Sequence, residues 1–253
     1  MRVSPKRELG QHFLVDENIL GVIGRLAELE PEDVVLEVGP GLGILTRYLA
    51  ERVAQVQAVE LDRSLEPQLA DLPANVELRW GDALRLDLGA SNPTKLVANL
   101  PYNIATPLIV ESLYGLPTVR LWCVMVQREV ADRLLAEPST KAYGAVSVLV
   151  RLAAERTGFH PVSRNVFRPR PNVDSALVAF RRIELPADFQ RVKRVVEAAF
   201  AHRRKTLPNS VELAGIADRR RAAGALAAID RPPATRAEEL APQEFVALAE
   251  ALV

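Results

Sequence analysis

The sequence is poor in cysteine and has no excess of either charge. Cys123 is the single cysteine, so no disulfide can form within the chain, and its apolar neighbours predict a buried thiol rather than a nucleophile. No apolar run reaches the ~20 residues that span a bilayer, and the segment from Met1 to Arg7 lacks the apolar stretch of a secretory signal. These absences predict a cytoplasmic protein in a reducing compartment, without membrane association.

The acidic and basic residues, 32 of each, are spread unevenly along the chain. Residues 28–87 hold 13 acidic and 5 basic side chains, whereas residues 151–182 hold 7 basic and 2 acidic ones. A neutral protein can therefore carry a basic face, and binding of a polyanion depends on that local field. His160 and His202 have no Cys or His partner at the spacing of metal ligands, so the sequence predicts no metal site.

The length of 253 residues, about half of them apolar, suffices for one large domain with a small appendage. After Pro186 the pattern changes, because helical runs of Ala, Leu and Arg replace the strands and glycine turns. We expect an α/β domain over residues 1–184 and a small all-α domain over residues 185–253. The helical runs of the second domain predict helices at about 187–201, 206–214, 218–227 and 242–252.

The most informative local pattern is a strand, a glycine turn and a helix. The run Val34–Val38 predicts a buried strand, and a helical pattern begins at Ile44. Between them lie Gly39, Gly41 and Gly43. Without a Cβ the main chain can turn sharply and let a nucleotide-like cofactor lie against it, beside amide donors at the helix N-terminus. The third glycine comes one residue earlier than in a dinucleotide fingerprint, which disfavours NAD. The alternative is a plain loop with a glycine cluster.

Two further predicted strands are followed by acidic residues. Glu60 lies at the carboxyl end of the apolar run 56–60, and Asp82 comes just after the run 76–80. Since ligands of an open parallel sheet bind outside the carboxyl ends of its strands, Gly39, Glu60 and Asp82 should converge on one crevice. Glu60 suits the two hydroxyls of a ribose, and Asp82 suits an exocyclic amine such as that of adenine. The alternatives are a solvated, helix-capping Glu60 and an Asx-turn at Asp82.

The tetrapeptide Asn99-Leu100-Pro101-Tyr102 follows the next predicted strand, residues 95–98. Asn99 offers a side-chain carbonyl, and Pro101 forces Leu100 into an extended conformation that turns its carbonyl outward. Tyr102 adds an aromatic face for stacking. Two acceptors and a stacking face suit a flat primary amine, and they would localise its lone pair for methyl transfer without a special general base. A surface turn that contains a proline is the alternative.

The first fifteen residues are basic and then apolar. Lys6 and Arg7 could touch phosphate, and the polar pair Gln11 and His12 before two large apolar residues suits a lid over a ligand. A basic tail that leads into a helix with Asp16 as its N-cap is an equal alternative.

A second basic segment lies between residues 164 and 174. Arg164, Arg168 and Arg170 alternate with prolines that stiffen the loop, and Phe167 adds an aromatic face. A rigid basic loop beside an aromatic ring suits an extruded base and its phosphates, although Phe167 could instead anchor the loop to the core. The alternation in 176–180 predicts an edge strand. A basic triplet further on could grip RNA backbone or form a solvated helix face: Arg203, Arg204 and Lys205.

The chain resembles the ribosomal RNA adenine N6-dimethyltransferases over nearly its whole length, and its bacterial small-subunit branch most of all. The motifs that carry the resemblance are Gly10-Gln11-His12-Phe13-Leu14, Glu37-Val38-Gly39-Pro40-Gly41-Leu42-Gly43, Glu60-Leu61-Asp62, Gly81-Asp82-Ala83, Asn99-Leu100-Pro101-Tyr102-Asn103 and Ala199-Phe200-Ala201-His202-Arg203-Arg204-Lys205-Thr206-Leu207. The resemblance implies a Rossmann-like S-adenosylmethionine-dependent methyltransferase domain. Its sheet would be mostly parallel with an antiparallel edge strand, and the helical domain would help to bind RNA.

The resemblance also implies where cofactor and target base bind. The residues around S-adenosylmethionine would be Gln11, His12, Leu14, Gly39, Gly41, Glu60, Leu61, Asp82, Ala83 and Asn99. Among them Glu60 would take the cofactor ribose and Asp82 the cofactor adenine. Many relatives have Asn where this chain has His12. The target adenine would lie between Tyr102 and Phe167.

By the same resemblance the enzyme would dimethylate N6 of two adjacent adenines in a hairpin near the 3′ end of 16S rRNA, within an immature small ribosomal subunit. One alternative is the related 23S rRNA methyltransferase that confers macrolide resistance; Leu100, where Ile is common in that group, and the long basic C-terminal part favour the first. Another is an rRNA-binding assembly factor without catalysis, against which the intact Asn99, Pro101 and Tyr102 argue. No heptad or long apolar edge requires a dimer, so we expect a monomer.

Overall fold

A computed structural model gives the fold of residues 5–6 and 9–252. The strands are β1 (Phe13–Leu14), β2 (Val34–Val38), β3 (Gln55–Glu60), β4 (Val76–Trp80), β5 (Lys95–Asn99), β6 (Leu121–Gln127), β7 (Ala154–Val162), β8 (Phe167–Arg168) and β9 (Ser175–Arg182). The α-helices are α1 (Glu17–Leu26), α2 (Ile44–Ala50), α3 (Glu66–Leu69), α4 (Ala105–Gly115), α5 (Arg128–Leu134), α6 (Ala145–Ala153), α7 (Phe189–Ala201), α8 (Leu207–Leu213), α9 (Arg219–Ala227) and α10 (Pro242–Ala251). None of these helices is long and apolar enough to cross a membrane.

Seven strands form the main sheet in the order β4-β3-β2-β5-β6-β9-β7. The pairs from β4 to β6 are all parallel, and β9 joins β6 antiparallel. The predicted α/β fold with a mostly parallel sheet and antiparallel pairing toward one edge is confirmed. Strands β1 and β8 form a separate two-stranded antiparallel ribbon. The parallel order brings the carboxyl ends of β2, β3, β4 and β5 to one edge of the sheet.

The prediction of an edge strand at 176–180 is wrong. These residues belong to β9, which is buried and lies between β6 and β7. The outermost strand is β7, which tolerates Pro161 because an edge strand has one unpaired side. Gly158 of β7 lies against α1, where an added Cβ would come 2.5 Å from Leu26 Cδ2. A larger residue at this position would force the Leu26 side chain to move.

The first helix shows how local sequence and core packing agree. Asp16 is its N-cap, as one reading of the sequence predicted, and its carboxylate accepts a hydrogen bond from the Asn18 amide at 2.9 Å. The apolar face of α1 packs with α2 and the sheet in one buried cluster. Cys123 lies in that cluster, and burial raises the pKa of its thiol to about 12. The prediction that this thiol is buried is confirmed.

The chain divides into two compact units. One contains the chain up to residue 131 with 155–182, and the other contains 132–154 with the chain from 183 on. The sequence predicts one boundary, after residue 184, and leaves 132–154 with the first domain; the structure packs α6 of this segment with α7 and α10. In the second unit the buried Tyr143 donates a hydrogen bond to Leu240 O at 2.8 Å. The four predicted helices correspond to α7, α8, α9 and α10.

Candidate active site

One cavity lies at the carboxyl ends of the central parallel strands. It gathers every residue predicted for the cofactor and the acceptor amine apart from Phe167. These lining residues are Gln11, His12, Leu14, Gly39, Gly41, Glu60, Leu61, Asp82, Ala83, Asn99, Leu100, Pro101 and Tyr102. Residues from four strand ends and from the N-terminal segment therefore meet in one place, as the topology of a parallel sheet requires. Their individual roles stay predictions.

The glycine turn after β2 is packed too tightly for side chains. Gly39 and Gly41 have positive φ angles of 77° and 59°, which L-residues with a Cβ rarely adopt. An added Cβ at Gly39 would lie 3.0 Å from Pro101 Cγ, and one at Gly41 would lie 3.0 Å from Phe13 Cδ1. The turn therefore presents bare main chain to the cavity, between the N-terminal segment and the loop after β5.

Glu60, the last residue of β3, forms a hydrogen bond with the main chain of the glycine turn. Its Oε2 accepts a hydrogen bond from the Gly41 amide at 3.2 Å, and its Oε1 accepts one from the Asp62 amide at 2.9 Å. Burial raises the pKa of Glu60, although these backbone hydrogen bonds oppose the shift. A carboxylate has about four acceptor positions, so Glu60 retains capacity to accept hydrogen bonds from a ligand.

Asp62 is a buried residue next to the cavity-lining Glu60 and Leu61, and the sequence assigned it no role. Its Oδ1 lies 2.6 Å from Lys6 Nζ, and its Oδ2 accepts a hydrogen bond from Gln11 Nε2 at 2.8 Å. Burial alone would raise the pKa of Asp62, but hydrogen bonds from Lys6, Ser64 and Gln11 hold it well below its usual range. The structure thus gives Lys6 an internal partner, and contact of Lys6 with phosphate would require breaking this ion pair. Arg7 lies outside the described residues.

Asp82 has the geometry of an Asx-turn and also lines the cavity. Its Oδ1 accepts a hydrogen bond from the Leu84 amide at 3.0 Å, and its Oδ2 lies 3.3 Å from Arg85 Nε. The turn alternative and the ligand prediction are compatible, because a carboxylate that accepts one backbone hydrogen bond keeps further lone pairs.

Asn99 is the last residue of β5. Its side-chain NH₂ group has a hydrogen-bond partner, whereas its side-chain oxygen has none among the described residues. Its Nδ2 donates a hydrogen bond to the main-chain oxygen of His12 at 3.2 Å. Because that oxygen can only accept, the NH₂ group must face it and Oδ1 must face away. Oδ1 is buried and has no hydrogen-bond partner among the described residues. Such an acceptor is rare in folded proteins and marks a place for a donor from a ligand.

The rest of the tetrapeptide is held in place around this acceptor. Leu100 is buried, and its amide donates a hydrogen bond to Met125 O at 3.1 Å. Tyr102 forms a hydrogen bond between its hydroxyl and Ser175 Oγ at 2.7 Å. Burial raises the pKa of Tyr102, partly offset by the bond to Ser175. The phenol group is thus tethered at its far end while the ring lines the cavity.

Glu37 lies in β2 and contributes to the cavity lining. The side chain is buried, and its Oε2 has no hydrogen-bond partner among the described residues. Burial raises the pKa of Glu37 to about 8. The carboxyl group is therefore mostly protonated at neutral pH.

A family model described as ribosomal RNA adenine dimethylase matches residues 3–252. The chain belongs to this family. It is 48% identical over 250 residues to the ribosomal RNA small subunit methyltransferase A of Rubrobacter xylanophilus, with 96% of this chain and 94% of that protein covered. The protein of the same name from Streptomyces griseus is 44% identical over 265 residues, with 98% and 89% covered.

Two solved structures have a fold similar to that of this chain. A dimethyladenosine transferase from Plasmodium falciparum has a TM-score of 0.80 at 24% identity, with 94% of this chain and 96% of that chain covered. The 23S rRNA methyltransferase ErmE has a TM-score of 0.66 at 30% identity, with 95% and 99% covered. The fold of these two proteins thus matches nearly the whole of this chain.

Phe167 does not lie in the cavity of this dimethylase. It is fully buried in the apolar cluster that includes Leu14 and Ile23, so its ring offers no face to an extruded base. The Tyr102–Phe167 sandwich expected from the resemblance is absent among the described residues. The alternative given by the sequence, an anchor of the basic loop in the core, agrees with this placement, because an apolar ring is more stable when removed from water.

The predicted RNA-binding residues that the structure describes are not among those that line the cavity. Arg164 is partly engaged, since it donates to Asn172 O at 2.8 Å and lies 3.4 Å from Asp174 Oδ1. Arg168 and Arg170 are exposed. In the second unit Arg203 pairs with Glu238 at 3.1 Å and donates to Lys141 O at 2.8 Å, whereas Arg204 and Lys205 are exposed. The RNA-binding roles of all of them stay predictions.

Arg47 is a second residue that the sequence analysis missed. Its Nη1 donates hydrogen bonds to Leu42 O and Gly43 O, both at 3.1 Å, and its Nη2 donates to Gln68 O at 3.1 Å. The guanidinium therefore fixes the main-chain carbonyl groups of Leu42 and Gly43, at the end of the glycine turn. A signal was available, because Arg47 lies four residues after Gly43 and thus on the same side of α2 as the turn.

Proposed function

We propose that this protein dimethylates N6 of two adjacent adenines in a 3′-terminal hairpin of 16S rRNA, with S-adenosylmethionine as methyl donor. The substrate would be an immature small ribosomal subunit. The names of relatives at 44–48% identity and membership of the dimethylase family support this proposal. Action as a cytoplasmic monomer is part of the same proposal.

The proposal rests on the side-chain oxygen Oδ1 of Asn99, which is buried and has no hydrogen-bond partner among the described residues. The N6 amine of adenine has two N–H donors; Asn99 Oδ1 would accept one, and the Leu100 carbonyl would accept the other. Two aligned acceptors localise the nitrogen lone pair, which in free adenine is delocalised into the ring. Stacking on Tyr102 would hold the base. Positioning and electrostatic complementarity then supply the rate, and no general base with a shifted pKa is needed.

The residues present fit S-adenosylmethionine. Gly39 and Gly41 line the cavity without a Cβ, so a ligand can lie directly against their main chain. Glu60 retains acceptor positions for ribose hydroxyls, and Asp82 retains them for the adenine amine. When bound, the cofactor supplies an electrophilic methyl group on a sulfonium. The chain's own task is to orient the acceptor amine and to exclude water around it.

The direct test is a transfer assay with two substrates. The purified protein is incubated with methyl-labelled S-adenosylmethionine and, separately, with immature small and large ribosomal subunits, and the modified nucleosides are then mapped. We expect N6,N6-dimethyladenine at two adjacent positions of 16S rRNA. Label in 23S rRNA would support the macrolide-resistance activity instead, and particle binding without label would support an assembly factor. Either result would overturn the proposal.

A further inference from the structure

Arg47 connects the glycine turn after β2 with helix α3, which follows β3. Its guanidinium is partly buried, and its three hydrogen bonds all go to main-chain oxygens, those of Leu42, Gly43 and Gln68. Leu42 lies in the glycine turn and lines the cavity, whereas Gln68 lies in α3. One side chain thus bridges two segments of the main chain that are about 25 positions apart.

The peptide group between Leu42 and Gly43 is held at both of its ends. Its carbonyl oxygen accepts the hydrogen bond from Arg47, and its N–H donates to Pro40 O at 2.9 Å. Because a peptide group is planar, two such contacts fix its orientation. Gly41 and Gly43 both have positive φ angles, and glycine adopts many other conformations when nothing restrains it. The contacts of Arg47 therefore restrain a segment that its own residues leave conformationally free.

Apolar packing joins the same two segments. An added Cβ at Gly43 would collide with Arg47 Nη1 and would come 3.1 Å from Leu69 Cδ2 of α3. Leu69 belongs to a buried apolar cluster with Leu65, and Leu42 packs against this cluster. Leu42 and Leu65 both line the cavity. Polar and apolar contacts therefore hold α3 against the glycine turn beside the cavity.

We infer that Arg47 is a positioning residue for the cofactor, which holds the glycine turn in its binding conformation before the cofactor arrives. The inference rests on the proposed function, because it takes S-adenosylmethionine to be the ligand of this cavity. A turn that is already ordered loses little conformational freedom when the ligand binds, and this raises the affinity. Arg47 is not among the described residues that line the cavity. Its loss should therefore weaken cofactor binding and leave methyl transfer from the bound cofactor nearly unchanged.

Two substitutions at Arg47 and one control test this role. Arg47→Met keeps a long side chain and removes all of its donors. Arg47→Lys keeps the charge but lacks the planar fork that bonds several oxygens at once. The matched control is Arg52→Met, because Arg52 also donates to a main-chain oxygen, Tyr48 O at 2.7 Å, outside the glycine turn. For each variant we would measure the Kd of S-adenosylmethionine by calorimetry, kcat and KM with immature small subunits, and unfolding in urea.

We expect Arg47→Met to raise the Kd of S-adenosylmethionine about tenfold, the effect of one lost hydrogen bond on a binding constant. At saturating cofactor, its kcat should stay close to that of the wild type. Arg47→Lys should give an intermediate Kd, and Arg52→Met should give the wild-type Kd.

A purely structural role of Arg47 would destabilise Arg47→Met in urea and leave the cofactor Kd of the folded variant unchanged, and this result would overturn the inference. Equal increases in Kd for Arg47→Met and Arg52→Met would contradict it as well. If Arg47→Met does not fold, the Kd of Arg47→Lys decides, and a wild-type value would refute the role. Absence of S-adenosylmethionine binding by the wild-type protein would instead refute the proposed function itself.

Discussion

Buried polar groups near the amino ends of the central parallel strands have partners, whereas some near the carboxyl ends do not. At the amino ends of β2 and β5, buried ions are paired. Asp33 Oδ2 lies 2.7 Å from Lys95 Nζ, and its Oδ1 accepts a hydrogen bond from Thr94 Oγ1 at 2.8 Å. Lys95 also donates to Glu28 O. The buried ions next to the amino ends of these two strands are therefore paired with each other and with neighbouring polar groups.

Toward the carboxyl ends of the same strands, two buried side-chain oxygens are unpaired. Asn99 Oδ1 in β5 and Glu37 Oε2 in β2 have no hydrogen-bond partner among the described residues. An unpaired buried polar atom costs about 1–3 kcal/mol, and at the edge of a cavity a bound ligand can offset that cost. The difference agrees with a stabilising role for the paired ions at the amino ends and with the binding role that we propose for the carboxyl ends. Three changes can break or sharpen this division.

Lys95→Met should have the largest effect on stability. It leaves the buried Asp33 without its nearest cation, and breaking a buried ion pair in this way costs about 3–5 kcal/mol. Urea unfolding should show this loss, while calorimetry should show nearly unchanged cofactor affinity. Arg120→Ala is the matched control, because Arg120 approaches the same carboxylate at 3.6 Å from an exposed position and should contribute less than about 1 kcal/mol. Equal losses in both variants would contradict the paired-ion account.

Glu60→Ala should act on binding at the opposite end. Loss of hydrogen bonds to a charged acceptor should weaken S-adenosylmethionine binding by about 1–3 kcal/mol. Glu77→Ala, which removes an exposed carboxylate of the neighbouring strand β4, is the control and should leave the affinity unchanged. Calorimetry that gave the same Kd for Glu60→Ala and the wild type would remove Glu60 from the site.

Glu37→Gln should change how stability depends on pH. In the folded protein burial raises the pKa of Glu37 to about 8, whereas in the unfolded chain its pKa is the ordinary value of 4.5. Between these values the free energy of unfolding should fall as pH rises, by at most about 1.4 kcal/mol per pH unit from this group. The wild-type profile minus that of Glu37→Gln isolates this contribution. Parallel profiles from pH 5 to 8 would show that Glu37 is not held protonated.

Much of the site could be predicted because it follows from strand ends. Gly39, Glu60, Asp82 and Asn99 each lie at or just after a run of apolar residues, and a parallel sheet brings such positions together whatever the details of packing. The bare glycine turn and the acceptor side chain of Asn99 could be expected from residue type alone. Local pattern and topology were sufficient for these features.

The features that could not be predicted depend on contacts between distant segments. His12 and Pro169 are 157 positions apart, and no local pattern encodes their hydrogen bond. The sequence left open whether Phe167 faces the target base or the core, and the pairing of Phe167 with Leu14 in the β1–β8 ribbon, which accompanies its burial, joins segments about 150 positions apart. The sequence does not predict strand β7, because Gly158 and Pro161 interrupt its strand-like residue pattern. Pairing at the edge of the sheet outweighs the low strand propensity of these two residues.

The most direct measurement is single-turnover methyl transfer by Asn99→Ala to immature small subunits, with cofactor affinity and unfolding recorded on the same preparation. If the vacant Oδ1 of Asn99 receives the adenine amine, the transfer rate should fall by about 10³-fold, while the Kd of S-adenosylmethionine stays within a few fold and stability within about 1 kcal/mol. A variant that transfers methyl groups at close to the wild-type rate would contradict the account.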